Sequence, residues 1–191
     1  MAAGKKNARR LGAHLVFADE SGFLLTPTVA KTWAPRGQTP ILRHFDRRDR
    51  ISVISGISVS PKRQRLNLFF RLHLKNIQQQ EVYWFLCDLL RHLRGHIFVL
   101  WDGGRPHTGR LIQDLSRHVP RLHLVRFPGY APELNPDEGV WKLAKQALAN
   151  GCPRDLFELI PSLVGALESI RKNPKNLRGC IDHSALPSFL S

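Results

Sequence analysis

Acidic residues are few: 15 Asp and Glu stand against 29 Lys and Arg in 191 residues, leaving a net charge of +14. That imbalance implies a polyanionic partner, nucleic acid first. Cysteines are fewer still. Cys87, Cys152 and Cys180 are odd in number, far apart, and form no Cys-x-x-Cys pair. This argues against a disulfide framework or a zinc site and fits a reducing cytosol. No stretch approaches the roughly 18 apolar residues of a membrane span. No apolar run of signal-peptide length follows the basic start. Internal repeats and low-complexity segments are also lacking. What is present is a hydrophobic fraction of 42%, enough for one domain with a sizeable core. The basic residues recur along the whole chain, which describes a broad face and not a detachable tail.

The apolar spacing predicts an order of elements. His14-Leu-Val-Phe-Ala-Asp19 is a short apolar run ending in an acid, a strand buried on both faces. Residues 27–40 hold three prolines and Gly37 and read as loop. Ile51 to Val59 and Leu66 to Leu74 alternate around Pro61-Lys-Arg-Gln64, a hairpin with one buried face. Val82, Phe85, Leu86, Leu89, Leu90 and Leu93 form a helical stripe, with Gly95 as its stop. His96 to Asp102 is a second buried strand ending in an acid. A helix over 111–119, a strand over 121–127, a loop over 128–136 and a helix to about residue 150 follow. Residues 156–170 read as a last helix, kinked at Pro161. Turn-linked early strands are antiparallel and helix-linked later strands parallel, so the expectation is one α/β domain, a mixed sheet flanked by helices.

Two strands thus end in Asp19 and Asp102. If they lie parallel and adjacent, both carboxylates meet at the sheet edge where open α/β sheets bind ligands. Glu138 sits in the first turn of the helix after another strand. Three convergent carboxylates make a hard oxygen site for Mg²⁺ or Mn²⁺, and two such ions suit phosphodiester chemistry. Each acid also has a plainer reading. Asp19 with Glu20 before Ser21-Gly22 can be a strand-end turn, Asp102 before Gly103-Gly104 a turn-forming Asp, and Glu138 the third residue of a capping box begun by Asn135. Spacing alone leaves both sets of readings open.

Phe127-Pro-Gly-Tyr-Ala-Pro-Glu-Leu-Asn-Pro-Asp-Glu-Gly-Val-Trp141-Lys142 resembles the third-acid signature of DDE transposases of the mariner superfamily, in its bacterial insertion-sequence branch. Phe17 to Phe23 resembles the first-acid motif, Thr32 to Pro40 a stretch that follows it, and Leu100 to His107 the second-acid motif. The resemblance runs in the family's order from about residue 14 to 171. It implies a ribonuclease H-like fold, with Asp19, Asp102 and Glu138 as catalytic residues and ligands of two Mg²⁺ or Mn²⁺ ions. It further implies cut-and-paste cleavage at transposon ends, leaving a 3′-hydroxyl that attacks target DNA. Double-stranded DNA is then the partner, a homodimer on DNA the working state, and the bacterial cytoplasm, at the nucleoid, the location. The alternatives are another ribonuclease H-like nuclease or a non-catalytic DNA-binding remnant. One departure is visible: Gly103 stands where the family often has Asn.

The expected layout is a basic tail over 1–13, the catalytic domain over 14–171 and a tail over 172–191. Thirteen residues cannot hold a helix-turn-helix, so a separate or fused module is expected to recognise the ends. Arg47, Arg48, Lys62, Arg63 and Arg65 are expected phosphate contacts, and His107 can steady a phosphate or a ligand. Asp137 reads as a helix-dipole partner and Trp141 as a packing residue.

Overall fold

The structure, a computed structural model, describes residues 7–26, 28–38, 41, 49–129 and 131–188. The expectations for Arg47 and Arg48 lie outside the described residues. Five strands form one mixed sheet: β1 (His14–Leu24), β2 (Arg50–Val59), β3 (Leu66–His73), β4 (Ile97–Trp101) and β5 (Leu122–Arg126). Their order across the sheet is β3-β2-β1-β4-β5. β1–β2 and β2–β3 are antiparallel, and β1–β4 and β4–β5 parallel. The helices that flank them are α1 (Gln79–His92), α2 (Arg110–His118), α3 (Asp137–Ala147), α4 (Leu156–Lys172) and α5 (Pro174–Asp182).

The helices divide between the two faces. α1 and α2 cover Val16, Ala18, Ile54, Val99 and Trp101. α3, α4 and α5 cover Phe17, Phe23, Ile51, Val53, Ile57 and Val59. Alternation along β1 therefore assigns odd positions to the α3 side and even positions to the α1 side. Among the described residues, no helix is long and apolar enough to cross a membrane.

Four expectations are corrected. β1 does not stop at Asp19: Ser21 and Gly22, turn-like by type, pair with Val53 and Ser52, so the ladder overrides local preference. β2 is buried on both faces, not one, because Ser52, Gly56 and Ser58 are small enough for α1 to approach. A Cβ at Gly56 would lie 2.9 Å from Val16 Cγ1 and 3.2 Å from Phe85 Cζ. Residues 174–182 are not tail: α5 places Leu177, Cys180 and Ile181 in the α3-side core. At the other end, Ala8 and Ala13 are buried against Phe98, so residues 7–13 belong to the packed body as well. The helix over 156–172 continues through Pro161.

Candidate active site

The three acids come from one sheet edge and the helix beside it. Phe17 pairs with Leu100 in the parallel β1–β4 ladder, so Asp19 and Asp102 each follow two residues beyond that rung. β4 ends at Trp101, whereas β1 continues, so Asp19 stands within its strand, opposite Ser55 of β2. Asp102 projects past the end of its own strand and is exposed.

Asn135 joins the third acid to the first. It is buried; its Nδ2–H donates to the carbonyl of Ala18 at 3.1 Å, and its Oδ1 accepts from the Asp137 N–H at 3.2 Å. The start of α3 is thereby stapled to β1 one residue before Asp19. One turn further, the indole Nε1–H of Trp141 donates to Asp19 Oδ2 at 2.9 Å. Trp141 packs as expected, against Phe23 at 6.0 Å, and in addition orients the first acid. Glu138 is exposed, and its carboxylate makes no hydrogen bond among the described residues. The capping-box reading is not realised, since the Asn135 N–H donates to the Pro132 carbonyl.

Burial pushes the Asp19 carboxyl up to about 7; the Trp141 hydrogen bond works against this, and the charges of Glu138 and Glu20 add to it. Asp137 is no surface helix-dipole residue. It is wholly buried, and burial holds its carboxyl well above the ordinary range, against the Ser55 hydroxyl that donates to its Oδ2 at 2.5 Å. Its Oδ1 is buried and has no partner among the described residues.

His107 is buried, with a side chain 2% exposed, which leaves it no surface for a phosphate. Its Nε2 lies 2.6 Å from Glu20 Oε1 and its Nδ1 2.9 Å from Asp102 Oδ1, and its ring stacks on Trp101 at 4.3 Å and 2°. Burial alone would lower its pKa, but Glu20 and Asp102 raise it above the ordinary value. Asp102 Oδ1 also accepts the Gly104 N–H at 2.9 Å, while its Oδ2 has no hydrogen bond among the described residues. Glu20, Asp102 and His107 bring donor atoms within 4.8 Å of one another, the one such group among the described residues. Asp19, Asp102 and Glu138 do not converge that closely. Glu20 was not singled out in the sequence, although its adjacency to Asp19 was visible.

The donor set fits a hard cation. Asp19 and Asp102 each have one oxygen held by N–H donors, the arrangement that orients carboxylate ligands. Glu138 has none among the described residues, and the half-buried Asp19 carboxyl, raised first by burial and then by Glu138 and Glu20, is relieved by an adjacent positive charge. The basic hairpin lies elsewhere. Val59 is four residues beyond Ser55, roughly 14 Å of strand, and Lys62, Arg63 and Arg65 follow it at the opposite end of the sheet. Arg63 has φ 61° and donates from Nη1 to the carbonyls of Ala13 and Ser60, at 3.2 and 3.3 Å. A cavity of about 610 Å³, lined by Phe23, Leu25, Lys145, Leu148 and Leu159, contains none of the three acids.

A five-stranded mixed sheet in this order, with acids at the end of β4, within β1 and at the start of α3, is a ribonuclease H-like domain. The chain belongs to the DDE superfamily endonuclease family, whose model matches residues 14–160. Solved structures share the fold. The Mos1 transposase paired-end complex with left transposon end is 17% identical at a TM-score of 0.59, over 95% of this chain and 59% of that one. The mariner Mos1 paired-end complex with Mg gives 16% and 0.59, over 97% and 61%. The isolated catalytic domain of Mos1 mariner transposase gives 14% and 0.55, over 97% and 91%. The chain thus spans about three fifths of the longer Mos1 chains. No curated protein matches it.

Proposed function

We propose that this chain is the catalytic domain of a cut-and-paste DNA transposase, cutting phosphodiesters at element ends and joining the freed 3′-hydroxyl to target DNA. The supporting observation is the Asn135–Trp141 staple, which holds the helix bearing Glu138 against the strand bearing Asp19, at the end of the strand that delivers Asp102. In this reading Asp19, Asp102 and Glu138 hold Mg²⁺ or Mn²⁺, two ions in all. When bound, the ions supply charge stabilisation and a nucleophile at neutral pH.

The chain's own residues do the rest. Trp141 and Gly104 each donate to one oxygen of an acid and so orient it. His107, anchored by Glu20, keeps Asp102 at the edge. Lys62 and Arg65, exposed at the far end, hold flanking duplex through phosphates. End recognition belongs to a helix-turn-helix module, fused or separate, and the working state is a dimer on DNA. The place of action is the bacterial cytoplasm, at the nucleoid.

The test is incubation with Mn²⁺ and DNA carrying the element's ends, followed by strand-transfer analysis. Cleavage by the parental chain, lost in Asp19→Asn, Asp102→Asn and Glu138→Gln while thermal midpoints hold, is the expected result. Full cutting in excess chelator would overturn the metal chemistry. Cutting of RNA–DNA hybrids without strand transfer would favour another nuclease of the fold. A chain that binds DNA and never cuts it is the non-catalytic remnant.

A further inference from the structure

Gly103 directly follows Asp102, and a neighbour occupies its missing side-chain volume. A Cβ there would lie 1.8 Å from Arg126 Nε, 1.9 Å from its Cζ and 2.1 Å from its Nη2. The guanidinium of Arg126 therefore crosses the Gly103 backbone, in the space that any other residue at 103 would fill. Arg126 is the last residue of β5 and pairs with Trp101, the last residue of β4. The sheet itself thus delivers this cation to the edge where Asp102 stands.

Arg126 is exposed, and its guanidinium makes no hydrogen bond or ion pair with any described residue. That sets it apart from Arg63, Arg71, Arg121 and Arg154, each of which is committed to a carbonyl or a carboxylate. Its N–H donors are open, always charged, and set in the fork that matches a phosphate's oxygens. The surroundings call for such a group. Asp19, Glu20, Asp102 and Glu138 concentrate negative charge at one edge, and a polyanion must approach it.

We propose that Arg126 binds a non-bridging oxygen of the phosphate to be cut, and that glycine at 103 is what gives the guanidinium room to lie there. The inference rests on the nuclease reading above. Arg126 touches substrate and holds no cation. Its contribution grows as charge builds on the phosphoryl oxygens in the transition state.

The experiment compares Arg126→Ala, Arg126→Lys, Gly103→Ala and the double variant Gly103→Ala/Arg126→Ala on end-containing DNA, with thermal midpoints alongside. Arg126→Ala is expected to cut about 10²- to 10³-fold more slowly, the range for losing one preorganised donor. Arg126→Lys should recover only part of the rate, since a point charge lacks the fork. Gly103→Ala should expel the guanidinium and reproduce much of the loss, and the double variant should be no worse than Arg126→Ala alone. Binding without cutting, followed in Ca²⁺, gives an independent readout: Arg126→Ala should make the log–log salt slope shallower by about 0.9, one phosphate contact.

Parental-rate cutting and an unchanged slope in Arg126→Ala would overturn the inference and leave the nuclease reading intact. Losses that simply add in the double variant would overturn the role of Gly103. A parental chain that never cuts overturns both. If Gly103→Ala does not fold, the Arg126→Ala and Arg126→Lys comparison still decides the phosphate contact.

Discussion

The indole N–H of Trp141 donates to Asp19 Oδ2 at 2.9 Å, tying the helix that carries the third acid to the strand that carries the first. Trp141→Phe keeps most of the ring's packing and removes the donor. The expected outcome is a 10- to 100-fold loss in Mn²⁺ affinity and in cleavage, the usual scale for a partner of a ligating carboxylate. The stability cost should be only about 1 kcal/mol, one hydrogen bond. Calorimetric Mn²⁺ titration beside urea unfolding separates the two, and an unchanged affinity would reduce Trp141 to packing.

His107 is the second such lever. Its two nitrogens engage Glu20 and Asp102 at 2.6 and 2.9 Å. His107→Asn shortens the reach to both and should weaken Mn²⁺ binding about 10- to 100-fold. Direct contact with phosphate is not its role, because the side chain is buried, so the salt slope of DNA binding should not change. A shallower slope with normal Mn²⁺ affinity would contradict this assignment.

A third prediction concerns acid stability. His96 Nδ1 lies 2.9 Å from His123 Nε2, and His123 is held below its ordinary value of 6.5, first by burial and then by His96. The unfolded chain binds that proton more readily than the folded one, so stability is lost as pH falls through 6.5. His123 should therefore contribute a fall in the urea midpoint between pH 7 and pH 5, and His123→Phe should remove that contribution. His14 and His73 act in the same direction, and His107, Asp19 and Asp137, all raised, act in the other, so the difference between parent and variant is the quantity to read. Equal slopes for both proteins would remove His123 from the account.

DNA binding at large should follow the +14 charge. Each neutralised phosphate adds about −0.9 to the slope of log affinity against log salt on duplex DNA. A steep decline from low to physiological salt is expected, measured by fluorescence anisotropy on duplexes of unrelated sequence. A flat response would mean that the basic face does not meet phosphate.

Much of this architecture could be read in the sequence, because its signals are local. Apolar runs ending in Asp19 and Asp102, the helical stripe before Gly95, and the segment opening α3 each declare themselves within a few residues. The rest depends on partners far along the chain. His107 meets Glu20 across 87 residues and Asp137 meets Ser55 across 82, and no periodicity reports either contact. The second buried face of β2 was written only in its small residues, Ser52, Gly56 and Ser58. Trp141, three residues from Glu138 on the same helix, was the one partner of the acids that helical spacing alone could have suggested. Arg126 could not have been found that way, since only the β4–β5 pairing brings it to Gly103.

β1 is laced to β2 from Leu15 to Leu24, well past Asp19, while Asp102 and Glu138 stand where their elements begin or end. Insertions and deletions should therefore not be tolerated equally around the three acids. A single residue added within β1 ahead of Asp19 and paired in the ladder would turn that carboxylate to the opposite face of the sheet, towards α1. Additions to the connections over 103–109 or 128–134 leave the ladder untouched and displace an acid by ångströms instead of reversing it. Lineages of such chains can thus vary their loops around one position that drift in length cannot touch.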